Sequence, residues 1–248
     1  MTLWHLELVR LTRTWRWTIV FGTYGLFGVF GPVTGRYLGE ILEHFGGEMK
    51  VFIPEPTPAD GIARFIANAS LLGRLAALVV GSDALAFDAR SESAAFFRTR
   101  VDRARELLLP RYVVTTLTAT LALIAGTVTA WTLTAVLIGP PPLLPVAVGT
   151  VYGVIHLAFA VAMLAAACGL TTNAASAVLL TFGVLALIPS LGIVPSVKPW
   201  LPSELVAAVV FLLEGTPARD FGRSAAAAAM ATVALLALAV RLHERREL

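Results

Sequence analysis

The chain has 248 residues, 57% of them hydrophobic and only 14% charged, with a mean hydropathy of +0.80. A water-soluble globule of that length cannot hide so much apolar surface, and disordered chains are poor in apolar residues. The net charge of +3 and pI near 9.4 would suit a nucleic-acid binder, but the arginines sit in short stretches between apolar runs, which points to a bilayer and excludes nucleic acid as the partner.

The chain opens with a segment, 1–16, that reads as an amphipathic elbow helix on the membrane. Leu8, Leu11 and Trp15 form its apolar side, and Glu7, Arg10 and Arg16 its polar one. Six stretches then reach the roughly 20 apolar residues a spanning helix needs: 17–38, 61–86, 113–138, 146–168, 176–195 and 223–242. The first carries Gly22, Gly25 and Gly28, continued by Gly31 and Gly35, a spiral of small residues that lets helix backbones approach closely. The expectation assigns it to packing between subunits. The second span holds Arg64, Arg74 and Asp83. Arg74 falls near its middle, where a charge is expensive and must face protein, water or an opposite charge, so it is a candidate for a polar substrate pathway.

Residues 87–111 form the longest polar connection. Phe97, Val101 and Leu108 recur at helical spacing, with Glu92, Arg98, Asp102 and Arg105 around them, and Pro110-Arg111 precedes the third span. The pattern predicts a helix over about 93–108 that ends before the proline and offers its stripe to a soluble partner. Between the fifth and sixth spans, Ser203 to Glu214 is apolar, preceded by Pro202 and followed by Gly215. Twelve residues reach about 17 Å, too short to cross, so the segment 196–222 is expected to hold a re-entrant helix on the outer side.

Arginine placement sets the expected topology. Twelve of the nineteen Lys and Arg residues fall in the N-terminal stretch, the 87–111 loop and the C-terminal tail, all on one side of six spans. The positive-inside rule makes that side cytoplasmic. Segment 39–60 instead holds five acidic residues against Lys50. Both termini are therefore expected inside, in the cell's inner (plasma) membrane.

Catalytic chemistry finds little to stand on. Cys168 is the single cysteine, so neither an internal disulfide nor an all-cysteine zinc site can form. His5, His44 and His243 lie outside the expected spans, and His156 in the fourth has no metal-binding spacing such as HExxH. His156 is better placed as a packing or pathway residue. The only lysines, Lys50 and Lys198, follow Met49 and Val197, so no Walker loop exists to hold ATP.

An elbow, six spans, a short excursion before the last and a long loop after the second together make an all-α polytopic membrane protein of one transmembrane domain. In that order and topology it resembles the permease subunits of type-2 ABC exporters, which move drugs, lipids and polysaccharides. The most specific stretch is Ala84 to Arg111, where a small-residue end of span two, an acidic residue, a helix and Pro110-Arg111 follow one another. The family's glycine-threonine after the glutamate is replaced by Ser93 and Ala94. The resemblance implies a half-channel that pairs with a second permease copy or paralogue. It also implies two ABC ATPase subunits docked on the 87–111 helix, with ATP and magnesium held in those partners and no cofactor in this chain. The rival reading is a membrane-embedded enzyme or a scaffold subunit of a larger membrane complex.

The topology is open to direct test. In a Cys168→Ser background, Glu48→Cys should react with an impermeant maleimide added to intact cells, and Arg245→Cys should not. Reversed labelling would overturn the arginine count and, with it, the cytoplasmic placing of the 87–111 loop.

Overall fold

A computed structural model describes residues 3–45, 55–86 and 104–246 of the chain. Among them there is no strand, and six helices are long and apolar enough to cross a membrane: the protein is an all-α, multi-pass membrane protein. In chain order, α1 (Leu3–Arg13) is the elbow, and α2 (Arg16–Phe45) and α3 (Pro58–Leu85) are the first two spans. The next three are α4 (Ala104–Leu137), α5 (Leu143–Leu170) and α6 (Ala174–Ile193). A short α7 (Ala208–Leu213) precedes the last span, α8 (Gly222–Arg246).

Local chemistry accounts for most boundaries. Trp15 breaks α1 from α2 with φ 55, a left-handed backbone that few non-glycine residues adopt and that turns the elbow. Pro58 occupies the first turn of α3, and Asp60 reaches back to accept from the Thr57 backbone N–H at 2.8 Å and its hydroxyl at 2.6 Å. Asn173 caps α6 by accepting from the Ser176 N–H at 2.7 Å. Pro189, which lacks a donor, turns the end of α6 into a 3-10 helix over Ile188–Ile193.

Three expectations are corrected. First, the helix expected to end before Pro110 instead runs through it: α4 is continuous from Ala104 to Leu137. Pro110 lies in the second described turn, and its missing donor is outweighed by burial on both sides, since Leu107, Leu108, Arg111 and Tyr112 all enter the core. Leu108, expected on a partner-facing stripe, is fully buried among Leu78, Leu85 and Leu164. Arg105 is exposed, whereas Glu92, Phe97, Arg98, Val101 and Asp102 lie outside the described residues.

Second, Ser203 to Glu214 is not one helix. A 3-10 turn, Pro202–Leu205, leads to α7, only six residues long. Its end is the expected one. Gly215 has φ +96, its N–H donates to Leu212 O, and the Thr216 N–H donates to Phe211 O, the paired bonds of a Schellman stop. The segment nonetheless reaches into the bundle, because Pro202 meets α5 at its fourteenth residue of twenty-eight, His156. A segment lying on the bundle's end would reach only the first turns of α5.

Third, Gly28, expected between subunits with Gly22 and Gly25, packs within the chain. A Cβ on Gly28 would stand 2.7 Å from Gly126 O in α4, and one on Gly31 would stand 2.7 Å from the Phe65 backbone N in α3. Gly22 and Gly25 have open space around them. Close backbone approach at Gly28 and Gly31 is what seats α2 against α3 and α4.

The same geometry orders the glycines by sensitivity. Gly28→Val and Gly31→Val should each lower stability in detergent by about 1–3 kcal/mol through overpacking. Gly22→Ala and Gly25→Ala should leave the melting temperature unchanged or slightly raised. Equal losses at all four positions would contradict this packing.

Candidate functional site

Two polar assemblies interrupt the apolar bundle. The first lies at the end that holds both termini. Arg111, 5% exposed, donates from Nε to Glu7 Oε1 at 2.9 Å and from Nη1 to Ala84 O at 3.2 Å. Glu7 also pairs with Arg10 Nε at 3.0 Å, Arg10 donates to Asp83 O, and Asp83 pairs with Arg16 at 2.6 Å. Arginines thus satisfy the last carbonyls of α3, where the helix dipole favours cations. The elbow turns Trp4, Leu6 and Leu8 outward, as a membrane-lying helix does, but Glu7 of its polar side is buried against the bundle. Outward apolar residues are what a lipid environment accepts, and buried charge persists only when paired.

The second assembly is at mid-bundle and joins the two residues singled out in the sequence. Five residues of π-helix, Ala69–Gly73, precede Arg74, and Gly73 lies flat against the ring of Tyr24. Arg74 Nη1 lies 3.1 Å from His156 Nε2, and His156 Nδ1 lies 2.9 Å from Pro202 O. A guanidinium has no acceptor, so Arg74 donates to Nε2, and the imidazole carries its proton on Nδ1 and donates to the carbonyl. Phe182 of α6 lies under the guanidinium, 5.9 Å from its central carbon. Arg74 Nε is buried with no hydrogen-bond partner.

A half-open pocket with a cavity volume of about 50 Å³ adjoins this chain of contacts. Tyr24, Ser70, Arg74 and His156 supply its polar atoms, and Ile66, Leu123, Leu157 and Val206 line the rest. A second pocket, of about 20 Å³, at the terminal end touches Glu7, Arg10 and Arg16, but those charges already pair with one another or with Asp83. The mid-bundle pocket, by contrast, is lined by a cation, Arg74, that no carboxylate of the described residues meets. Among the described residues, no three His, Cys, Asp or Glu side chains converge to hold a metal ion.

Sequence reasoning flagged Arg74 for its cost and His156 for its isolation, yet nothing in the pattern paired them. It missed Tyr24 and Ser70 altogether, and Pro202 entered only as a helix boundary. Arg111 entered only as a basic residue leading into a span, and its partner Glu7 as part of an outer polar face. His243, expected beyond the last span, is buried within α8 beside Gly169.

The Arg74–His156 contact should show coupling in a double-mutant cycle. His156→Leu alone should destabilise the protein by about 1.5–3 kcal/mol, because a buried charged donor loses its acceptor. Adding Arg74→Leu should recover much of that loss. Additive effects in thermal unfolding would mean the two side chains do not interact. No family model and no curated protein matches this chain, so its function is argued from this geometry.

Proposed function

We propose that the chain is the membrane-spanning subunit of an ATP-driven ABC exporter for drugs, lipids or other amphipathic substrates, working with a separate ATPase chain. The observation that carries the reading is the Arg74–His156–Pro202 assembly. It sets a cation, a reorientable ring and an open pocket at the centre of an otherwise apolar bundle. Intramembrane charge kept at such cost marks a path for solutes.

The terminal-end network supplies a mechanical route. Arg111 sits seven residues beyond Ala104, the first described residue after the 87–103 stretch, and Ala84 and Ala86 lie just before that stretch. Through Glu7 and Ala84, Arg111 ties both ends of this connection to the elbow. A push on the loop by a docked motor would move α1, α3 and α4 together, and α3 carries Arg74. Such small rigid-body shifts are how packed helices switch state. In this reading the protein lies in the plasma membrane with both termini cytoplasmic, pairs with a second permease copy, and leaves ATP and magnesium to its partners.

The test is a pull-down. Tagged full-length chain, co-expressed with an ABC ATPase if one is encoded beside it, should retain that ATPase in detergent, and Phe97→Asp with Val101→Asp should release it while the spans stay folded. Each buried apolar side chain would contribute about 1.5–3 kcal/mol to docking. A wild-type chain that brings down no ATPase would move the assignment to a membrane-embedded enzyme or scaffold subunit.

A further inference from the structure

We infer that the mid-bundle pocket binds a ligand with one anionic head, a carboxylate or phosphate, on an apolar body, Arg74 gripping the head. The proposal rests on the transport reading for its biological use, and it names the substrate class that reading leaves open.

Charge pairing within the bundle is the first support. Arg10, Arg16 and Arg111 each meet a carboxylate. Arg74, at the deepest position of the four, meets only an uncharged imidazole and the face of Phe182, and among the described residues no acidic side chain pairs with it. Arg64 of the same helix also meets no carboxylate among the described residues, but it does not line the pocket. A half-buried guanidinium at mid-bundle without an anion is the costly arrangement, whereas an anion supplied by a ligand makes it favourable.

Geometry is the second. His156 occupies Nη1, which leaves the edge formed by Nε–H and Nη2–H, and Nε is the buried atom without a partner. That edge is the one that holds a carboxylate or phosphate through two parallel hydrogen bonds. Ser70 and Tyr24 stand on the pocket wall as further hydroxyls for the head, and Ile66, Leu123, Leu157 and Val206 suit an apolar body. A cationic amphiphile would be repelled by Arg74, and a neutral one could offer Nε an acceptor but no charge to balance the guanidinium.

Size is the third. The cavity itself, about 50 Å³ in a half-open cleft, is well below the roughly 300–1,000 Å³ of small-molecule pockets that enclose their ligand. It takes the head alone, while the apolar body of a single-chain acid or the chains of a phospholipid lie outside it in the bilayer. Both sources share the same anionic chemistry.

The experiment uses purified full-length chain in dodecyl maltoside, without ATPase, and radiolabelled laurate. Wild type should bind laurate saturably, and Arg74→Gln should weaken binding by roughly tenfold or more. Dodecanol and dodecyltrimethylammonium should not compete. Mass spectrometry of the protein as purified separates the sources. An anionic phospholipid held one per chain by wild type and lost from Arg74→Gln assigns the head to a lipid. A lipid-free protein that binds laurate assigns it to a single-chain acid. Equal laurate binding by folded Arg74→Gln overturns the proposal, as does absence of both laurate binding and retained anionic lipid. Should Arg74→Gln fail to fold, competition on wild type decides: equal displacement by dodecyltrimethylammonium refutes an anion site. No motor protein is present, so failure here leaves ATPase coupling standing, and a failed pull-down leaves the anion site standing.

Discussion

A guanidinium at the middle of an apolar bundle has to be held by something, and the contact between Arg74 and His156 is what the interior is arranged around. It fixes α3 against α5, and through the second ring nitrogen it draws the Pro202 carbonyl down to the same depth. The chain between α6 and α8 is thereby pulled into the bundle. Leu205 and Ala208 become fully buried, Val209 presses on Gly149, and Tyr152 donates to Ala218 O at 2.8 Å. In water the same arginine would simply be solvated. In a bilayer the absence of competing water makes one hydrogen bond an organising constraint.

The terminal end obeys the same rule with a different outcome. There the arginines find carboxylates within the chain, and Glu7, Arg10, Arg16, Asp83 and Arg111 close into a paired network. Pairing makes this end a joint among α1, α2, α3 and α4 in which these five charges are matched to one another. The contrast with Arg74 is chemical: a saturated network holds helices, while an unsaturated cation beside a pocket is available to a ligand. Between the two levels, glycine does the joining. Gly28 and Gly126 let α2 and α4 touch backbone to backbone, and Gly73 receives the face of Tyr24 just before Arg74. The π turn there places the cation where an uninterrupted α-helix would aim a different residue.

Some of this was legible in the sequence. Apolar run length reports bilayer thickness, so all six spans were found, with ends displaced by several residues where a helix continues past the apolar stretch. The Gly215 stop was legible because a left-handed turn requires a residue without Cβ. Pro110 misled, since proline predicts a break only where burial does not hold both flanks in one helix; Leu107 and Tyr112 do hold them. Leu108 misled for a related reason: periodicity gives a stripe but not what covers it, and the chain's own core covers this one.

The sequence by itself determined the class of solvent, the number of crossings and the identity of the costly residue, because those follow from composition and length against a fixed bilayer thickness. Only the tertiary structure decided that Arg74 meets His156, that Glu7 turns inward to Arg111, and that the 196–222 segment descends to mid-bundle. Such partnerships depend on each helix's rotation and depth relative to its neighbours. Hydropathy is nearly indifferent to both when lipid and protein interior are equally apolar, so the few polar contacts and close glycine crossings settle them.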